Sequence, residues 1–201
     1  MIKFARRFFT TPAAERHLAV EKLENGLVVF NLNREKSRNA LSRLMITQLE
    51  EAIHDNFDTA KCVIVKSAAP GMFCAGADLK ERKDMAEHEV RQFLRKMKLT
   101  FLLLEDMACP TISVIDGPAL GGGLELSLCT DLRVVTKGAI LGLPETSLAI
   151  IPGAGGTQRL PRLVGQSKAK ELIFTGDRVS PDDAVRIGLA NHVCDDYDKA
   201  F

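Results

Sequence analysis

The chain of 201 residues is 46% hydrophobic and 26% charged, with a formal net charge of +1, which is the composition of one soluble globular domain with a sizeable core. So even a balance gives no reason to expect DNA or another polyanion as partner, and the longest apolar runs, such as Phe101–Leu104, are far too short to cross a bilayer. Five cysteines (Cys62, Cys74, Cys109, Cys129 and Cys194) form an odd set without a C-x-x-C pair; they read as reduced thiols, four of them in apolar contexts, not as a disulfide framework.

Residues 1–14, MIKFARRFFTTPAA, interleave Lys3, Arg6 and Arg7 with apolar positions, and no acidic residue precedes Glu15. That is the pattern of an amphipathic mitochondrial transit peptide, which implies the matrix as destination; a secretory signal would need a continuous apolar stretch. Two strands follow, Leu18–Leu23 and Leu27–Leu32, around Asn25-Gly26, whose residues both tolerate positive φ. A helix is predicted from Ser42 to Asn56, with Met45, Leu49, Ala52, Ile53 and Phe57 on one face. CVIVKSA reads as a short buried strand. A second long helix, Glu87 to Glu105, carries Val90, Phe93, Met97, Phe101 and Leu104 at spacings of three and four. TISVID and LRVVT are further strands, and the remainder reads as helical. Ser180-Pro181-Asp182-Asp183 opens a helix with a capping hydroxyl, a proline in the first turn and an acid, and Gly188 ends it. Strand and helix signals alternate without a linker or repeat, so the fold class is α/β and residues 18–194 form one domain. A short acidic tail, 195–201, follows.

The chemistry concentrates around glycines. Gly121-Gly122-Gly123 runs directly into helix formers and Glu125, although glycine costs a helix interior about 1 kcal/mol. Two readings compete: a tight packing corner, or bare N–H groups presented to a developing oxyanion with a carboxylate on the same helix face. A second small-residue stretch, Ala75-Gly76-Ala77, follows the CVIVKSA strand and could supply another N–H donor. A third segment sets Glu145 directly after Pro144, so Glu125 and Glu145 form a candidate general acid/base pair. Other glycine chemistries fail on spacing. Gly153 and Gly155 are followed by Gln158 where a dinucleotide motif needs glycine, and neither a phosphate loop nor a G-x-S-x-G elbow occurs. The four histidines (His17, His54, His88 and His192) are scattered, so no metal site is expected.

At FCAGADLKE, GPALGGGLELSLCTDLRV and PETSLAIIPGAGGTQRLPRLVG the chain resembles the crotonase superfamily of enoyl-CoA hydratases and isomerases, over about Leu18 to Val193. FCAGADLKER and AKELIFTG look most like its mitochondrial methylglutaconyl-CoA hydratase and enoyl-CoA hydratase-domain group. The resemblance implies a spiral of ββα units with two sheets and an acyl-CoA thioester substrate, with no cofactor beyond the coenzyme A that the substrate carries. It places the oxyanion hole on the N–H groups of Ala77 and Gly122, and the catalytic glutamates on Glu125 and Glu145. The loop Ala75 to Lys80, including Asp78 and Leu79, would line the adenine and pantetheine side. Gly153 would lie near the acyl group, and Lys36 matches a basic position that meets CoA phosphates, unless it is a solvated lysine. Members of the family form trimers or hexamers and continue with a helical segment past the equivalent of Phe201. A chain lacking that segment is expected to be truncated and not to form a well-defined trimer.

Three rival functions remain: a double-bond isomerase, which can work with one glutamate; an inactive scaffold; and RNA binding, known among relatives through a basic first-helix face. Here 33–61 sets five basic residues (Arg34, Lys36, Arg38, Arg43, Lys61) against five acidic ones (Glu35, Glu50, Glu51, Asp55, Asp58), which argues against a phosphate-tracking surface.

Overall fold

A computed structural model describes residues 16–195. The predicted transit peptide and all of the acidic tail beyond Asp195 lie outside the described residues. Strand β1 (Leu18–Lys22) pairs antiparallel with β2 (Leu27–Leu32), matching Val20 to Phe30. Their connection is a single 3-10 turn, Glu24–Gly26, in which Asn25 and Gly26 take φ of +66° and +82°. The hairpin is therefore the predicted one, with a longer loop and a β1 that ends one residue early. From β2 the main sheet continues in parallel through β3 (Cys62–Ser67), β4 (Thr111–Ile115), β6 (Leu132–Thr136) and β9 (His192–Cys194).

Alternation assigns the faces of this sheet. Val28, Phe30, Leu32, Val63, Val65, Ile115 and Val135 join the main core, while Val29, Ile64 and Val114 form a separate small cluster on the opposite face. Helix α1 (Arg43–His54) starts where Ser42 Oγ accepts the Met45 N–H at 3.1 Å. Its Met45, Ile46, Leu49, Ala52 and Ile53 are buried, as are Phe93, Met97, Phe101 and Leu104 of the later helix Glu87–Glu105. Between them lies a short helix, α2 (Leu79–Lys83), so the long one is α3 (Glu87–Glu105). Ion pairs Arg43–Glu89 (3.1 Å) and Lys96–Glu50 (3.1 Å) stitch α1 to α3 along their exposed edges.

A second sheet contains β5 (Pro118–Leu120), β7 (Ile140–Gly142) and β8 (Arg178–Val179). The chain alternates between the sheets: β4 to β5 and then α4 (Gly122–Ser127), β6 to β7 and then α5 (Gly156–Val164) with α6 (Gln166–Thr175). After β8, helix α7 (Pro181–Arg186) leads back to β9. This is the ββα spiral with two sheets that the family resemblance implies. The expectation of a wholly helical C-terminal part is corrected here: β7, β8 and β9 are strands of only two or three residues, too short to show a period-2 pattern. The predicted start of α7 holds, with Ser180 Oγ accepting the Asp183 N–H at 3.2 Å.

Among the described residues no helix is long and apolar enough to cross a membrane, and no group of three or more His, Cys, Asp or Glu is placed to hold a metal ion. All five cysteines are unpaired; Cys74, Cys109 and Cys129 are buried and the other two half-buried.

Candidate active site

The second sheet brings the small-residue loop to the triple glycine. Cys74 bridges Ala119 in parallel register, Cys74 N–H donates to Pro118 O at 3.0 Å, and Leu120 N–H donates back to Cys74 O at 3.0 Å. The chain from Cys74 to Ala77 thus lies along β5 like an extra strand and ends beside Gly122. On its other side Leu41 N–H donates to Gly76 O (2.8 Å) and Asp78 N–H to Leu41 O (3.1 Å). These bonds use the amides of Cys74 and Asp78 and leave the Ala77 N–H without an acceptor among the described residues. The Gly122 N–H, at the first position of α4, likewise has no intrahelical partner.

Closeness here depends on missing side chains. A Cβ on Gly76, where φ is +98°, would sit 2.8 Å from Leu120 O and 3.3 Å from the Gly122 nitrogen. Gly121, with φ of +52°, turns the chain into α4, and a Cβ there would lie 3.0 Å from Glu145 Oε1.

Glu125 and Glu145 face one cavity of 120 Å³, whose walls also include Ala77, Gly122, Leu94, Met97 and Gly153. Glu125 is 2% exposed, and its Oε1 accepts two backbone N–H groups, from Ala154 at 2.7 Å and Gly156 at 2.8 Å. Burial raises its pKa; those two hydrogen bonds and the charges of Arg159 and Lys98 resist the rise. Glu145 follows Pro144 in a 3-10 turn, is 8% exposed, and its Oε2 is buried with no hydrogen-bond partner among the described residues. Burial, with a further contribution from the Glu125 charge, pushes its pKa up to about 7. The Glu125 carboxylate is thus held by two donors from another segment, while that of Glu145 has only a backbone hydrogen bond within its own residue and an Oε2 left unpartnered among the described residues, so a proton is favoured on Glu145.

That shift carries a stability signature. The folded chain holds a proton on Glu145 at pH values between its ordinary pKa of 4.5 and about 7, where the unfolded chain has released it. The resulting stabilisation is complete below the ordinary pKa and is lost as pH rises through 7. Thermal unfolding is expected to show Tm falling by about 4 °C between pH 5 and pH 8.5, and Glu145→Gln should flatten most of that fall. A Tm that is level or rising over this range would mean that Glu145 is ionised throughout.

The other predicted residues divide. Ala75, Leu79 and Gly153 line the cavity, whereas Lys36, Asp78 and Lys80 do not. Lys36 lies on the exposed 3-10 turn Glu35–Ser37, and Lys80 is an exposed residue in the first turn of α2. The Asp78 carboxylate caps α2, accepting the Lys80 and Glu81 N–H groups (3.1 and 3.2 Å), and pairs with Arg34 Nη1 at 2.9 Å. Burial opposes its ionisation, yet those hydrogen bonds and the Arg34 charge hold its pKa below the usual value. Sequence reasoning missed the Ala154 and Gly156 donors. The run of small residues from Gly153 to Gly156 was their signal, since it repeats the pattern at Ala75–Ala77. The cavity opens into a wider cleft of 1110 Å³ bordered by α3 and α5, with Arg82, Leu94, Ile150, Ile151 and Gly153 common to both.

Comparison with known proteins follows the same lines. The enoyl-CoA hydratase/isomerase family profile matches residues 22–199. The chain is 47% identical over 180 residues to the mitochondrial methylglutaconyl-CoA hydratase of Homo sapiens, covering 89% of this chain and 52% of that protein. It is 45% identical over 185 residues to the mitochondrial enoyl-CoA hydratase domain-containing protein 2 of Bos taurus, covering 90% and 62%. The crystal structure of an enoyl-CoA hydratase from Bacillus anthracis superposes with a TM-score of 0.87 at 44% identity, over 90% of this chain and 70% of that one. The chain therefore spans between half and two-thirds of the length of these curated relatives.

Proposed function

The chain belongs to the enoyl-CoA hydratase/isomerase family, and from that premise we propose that it adds water across the α,β double bond of an enoyl-CoA thioester. The observation that carries this reading is the convergence on one small cavity of two backbone N–H groups, Ala77 and Gly122, that have no acceptor among the described residues, and two buried glutamates. The thioester oxygen sits between the two N–H groups, which stabilise enolate character as the β-carbon is attacked. Glu125, held by two donors, takes a proton from water while the hydroxyl oxygen bonds to the β-carbon. Glu145 delivers its proton to the α-carbon. Water is thereby added across the double bond, and the two carboxyl groups restore their starting protonation by exchange with solvent. Retention of both glutamates supports hydration over isomerisation, for which one suffices.

Mixing the chain with enoyl-CoA thioesters of several acyl sizes and following the loss of the conjugated thioester's absorbance tests the proposal. Turnover on at least one member of the set is expected; none on any would end it. Residence in the mitochondrial matrix belongs to the same proposal, supported by the basic, acid-free residues 1–14 and by the mitochondrial names of the human and bovine relatives.

RNA binding is expected to be weak. The five basic residues within 33–61 are matched by five acidic ones, and the structure neutralises two of them further by pairing Arg34 with Asp78 and Arg43 with Glu89. Titration of a fluorescent AU-rich RNA at near-physiological salt should give only salt-sensitive association. Sub-micromolar binding that survives added salt would reveal a basic surface assembled from distant parts of the chain.

A further inference from the structure

We infer that Arg159 is a positioning residue for Glu125, acting through the turn that supplies both of that carboxylate's donors; the inference rests on the reading of Glu125 as the general base. Arg159 lies one turn into α5 and is 7% exposed. Its guanidinium makes three hydrogen bonds, with Nε and Nη2 donating to Glu105 Oε2 at 2.9 and 2.6 Å and Nη1 donating to Ala154 O at 3.1 Å. Ala154 is the hinge of the arrangement, because its carbonyl is held by Arg159 while its N–H holds Glu125 Oε1 at 2.7 Å. Gly156 N–H reaches the same oxygen at 2.8 Å.

The geometry leaves no slack between these groups. A Cβ on Gly155 would fall 2.0 Å from Arg159 Nη1, so the guanidinium fills the space a side chain would need there, and φ at Gly155 is +113°. A Cβ on Gly156 would lie 3.1 Å from Glu125 Oε1. The turn is clamped between a guanidinium on one side and a carboxylate on the other. Its anchor, Glu105, is the last residue of α3, a helix that also lines the cavity through Leu94 and Met97. Burying a guanidinium against a single, partly exposed carboxylate gives little stability that an apolar side chain could not match. What an apolar side chain could not do is hold the Ala154 carbonyl, and with it the two donors in register.

The groups that act on Glu125 from the surrounding elements are Glu145 from the 3-10 turn, Arg159 from α5 and Lys98 from α3, with Cys129 past the end of α4 and Glu105 behind Arg159. Loosening the turn weakens the bonds that favour the Glu125 carboxylate and also removes the nearby Arg159 charge, so the carboxyl should titrate higher.

The test is a 13C NMR titration of the Glu125 carboxyl carbon in the whole chain, assigned by its loss in Glu125→Gln. Arg159→Gln is expected to move the midpoint up by about one pH unit, and Glu105→Gln, a milder change, to move it less in the same direction. In the hydration assay, Arg159→Gln should lower kcat by about 10–100-fold with KM nearly unchanged. Arg159→Lys keeps the charge but cannot span Glu105 and Ala154 together, and should not restore kcat. A folded Arg159→Gln protein with an unmoved midpoint would overturn the inference, as would full recovery by Arg159→Lys. Absence of hydration in the unaltered chain would count against the proposed function alone, and the titration would still decide whether Arg159 positions Glu125.

Discussion

Replacing either Glu125 or Glu145 with glutamine is expected to lower hydration turnover by about 10²–10⁴-fold, the usual contribution of general acid/base catalysis, while binding of the CoA thioester stays within a few-fold. Glutamine is suited to the test because it separates proton chemistry from architecture. At position 125 the amide oxygen can still accept the Ala154 and Gly156 N–H groups that now reach Oε1 at 2.7 and 2.8 Å. The turn at 153–156 should therefore stay in place, and the loss should fall on kcat. At position 145 the substitution removes a carboxyl whose Oε2 is buried without a partner among the described residues. Stability above neutral pH should then rise even as turnover collapses, because no charge has to be buried there. Opposite movements of Tm and kcat in Glu145→Gln would separate a site residue from a core residue. The double variant should be little worse than the poorer single one, since the two groups act in one proton transfer cycle. Full turnover in either single variant, in a chain active beforehand, would remove that glutamate from the mechanism.

Legibility in the sequence followed the length and period of each element. Helices α1 and α3 carry apolar residues over several turns, and most of their predicted faces are buried, with Ile46 added; Val90 is half-buried, and α1 ends at His54, two residues early, so that the half-buried Phe57 lies beyond it. Strands β2, β3, β4 and β6 each have five or six residues and were readable. Strands β5, β7, β8 and β9 have two or three each, and no pattern can declare itself over that length. Yet β5 is the strand along which the Cys74–Ala77 segment is laid, so the residues alone offered Ala75–Ala77 as a possible second donor, and only the family resemblance set the Ala77 N–H beside that of Gly122. The glutamates were legible as residue types beside small residues. Their differing environments were not, because the donors to Glu125 come from 29 and 31 residues away. Asp78 shows the converse limit: a carboxylate inside a recognised motif turns out to be engaged as a helix cap and an ion-pair partner.

Gly122 and Gly123 should respond to an added methyl in different ways, and the comparison decides between packing corner and oxyanion site. At Gly123 a Cβ would lie 2.3 Å from Cys74 O and 2.9 Å from Cys74 C. Those are backbone atoms fixed by the β5 pairing, so Gly123→Ala must displace the main chain and should destabilise by about 3 kcal/mol or prevent folding. At Gly122 the nearest atom to a Cβ is Leu41 Cδ1 at 3.1 Å, the end of a side chain that can turn aside, followed by the Ala77 nitrogen at 3.5 Å. The backbone there is helical, where alanine gains about 1 kcal/mol over glycine, so Gly122→Ala should fold with a Tm close to the original. The new methyl stands beside the Ala77 nitrogen, on the cavity wall that both residues share. A thioester oxygen that needs both N–H groups would be held away from one of them. Loss of a single oxyanion donor is worth about 10²–10³-fold in turnover, and Gly122→Ala should fall in that range, with the bulkier Gly122→Val lower still. Thermal unfolding and kcat/KM measured on the same preparations separate the two effects. If Gly122→Ala folds and hydrates at the original rate, the glycine at 122 serves only the corner, and the oxyanion must be stabilised elsewhere.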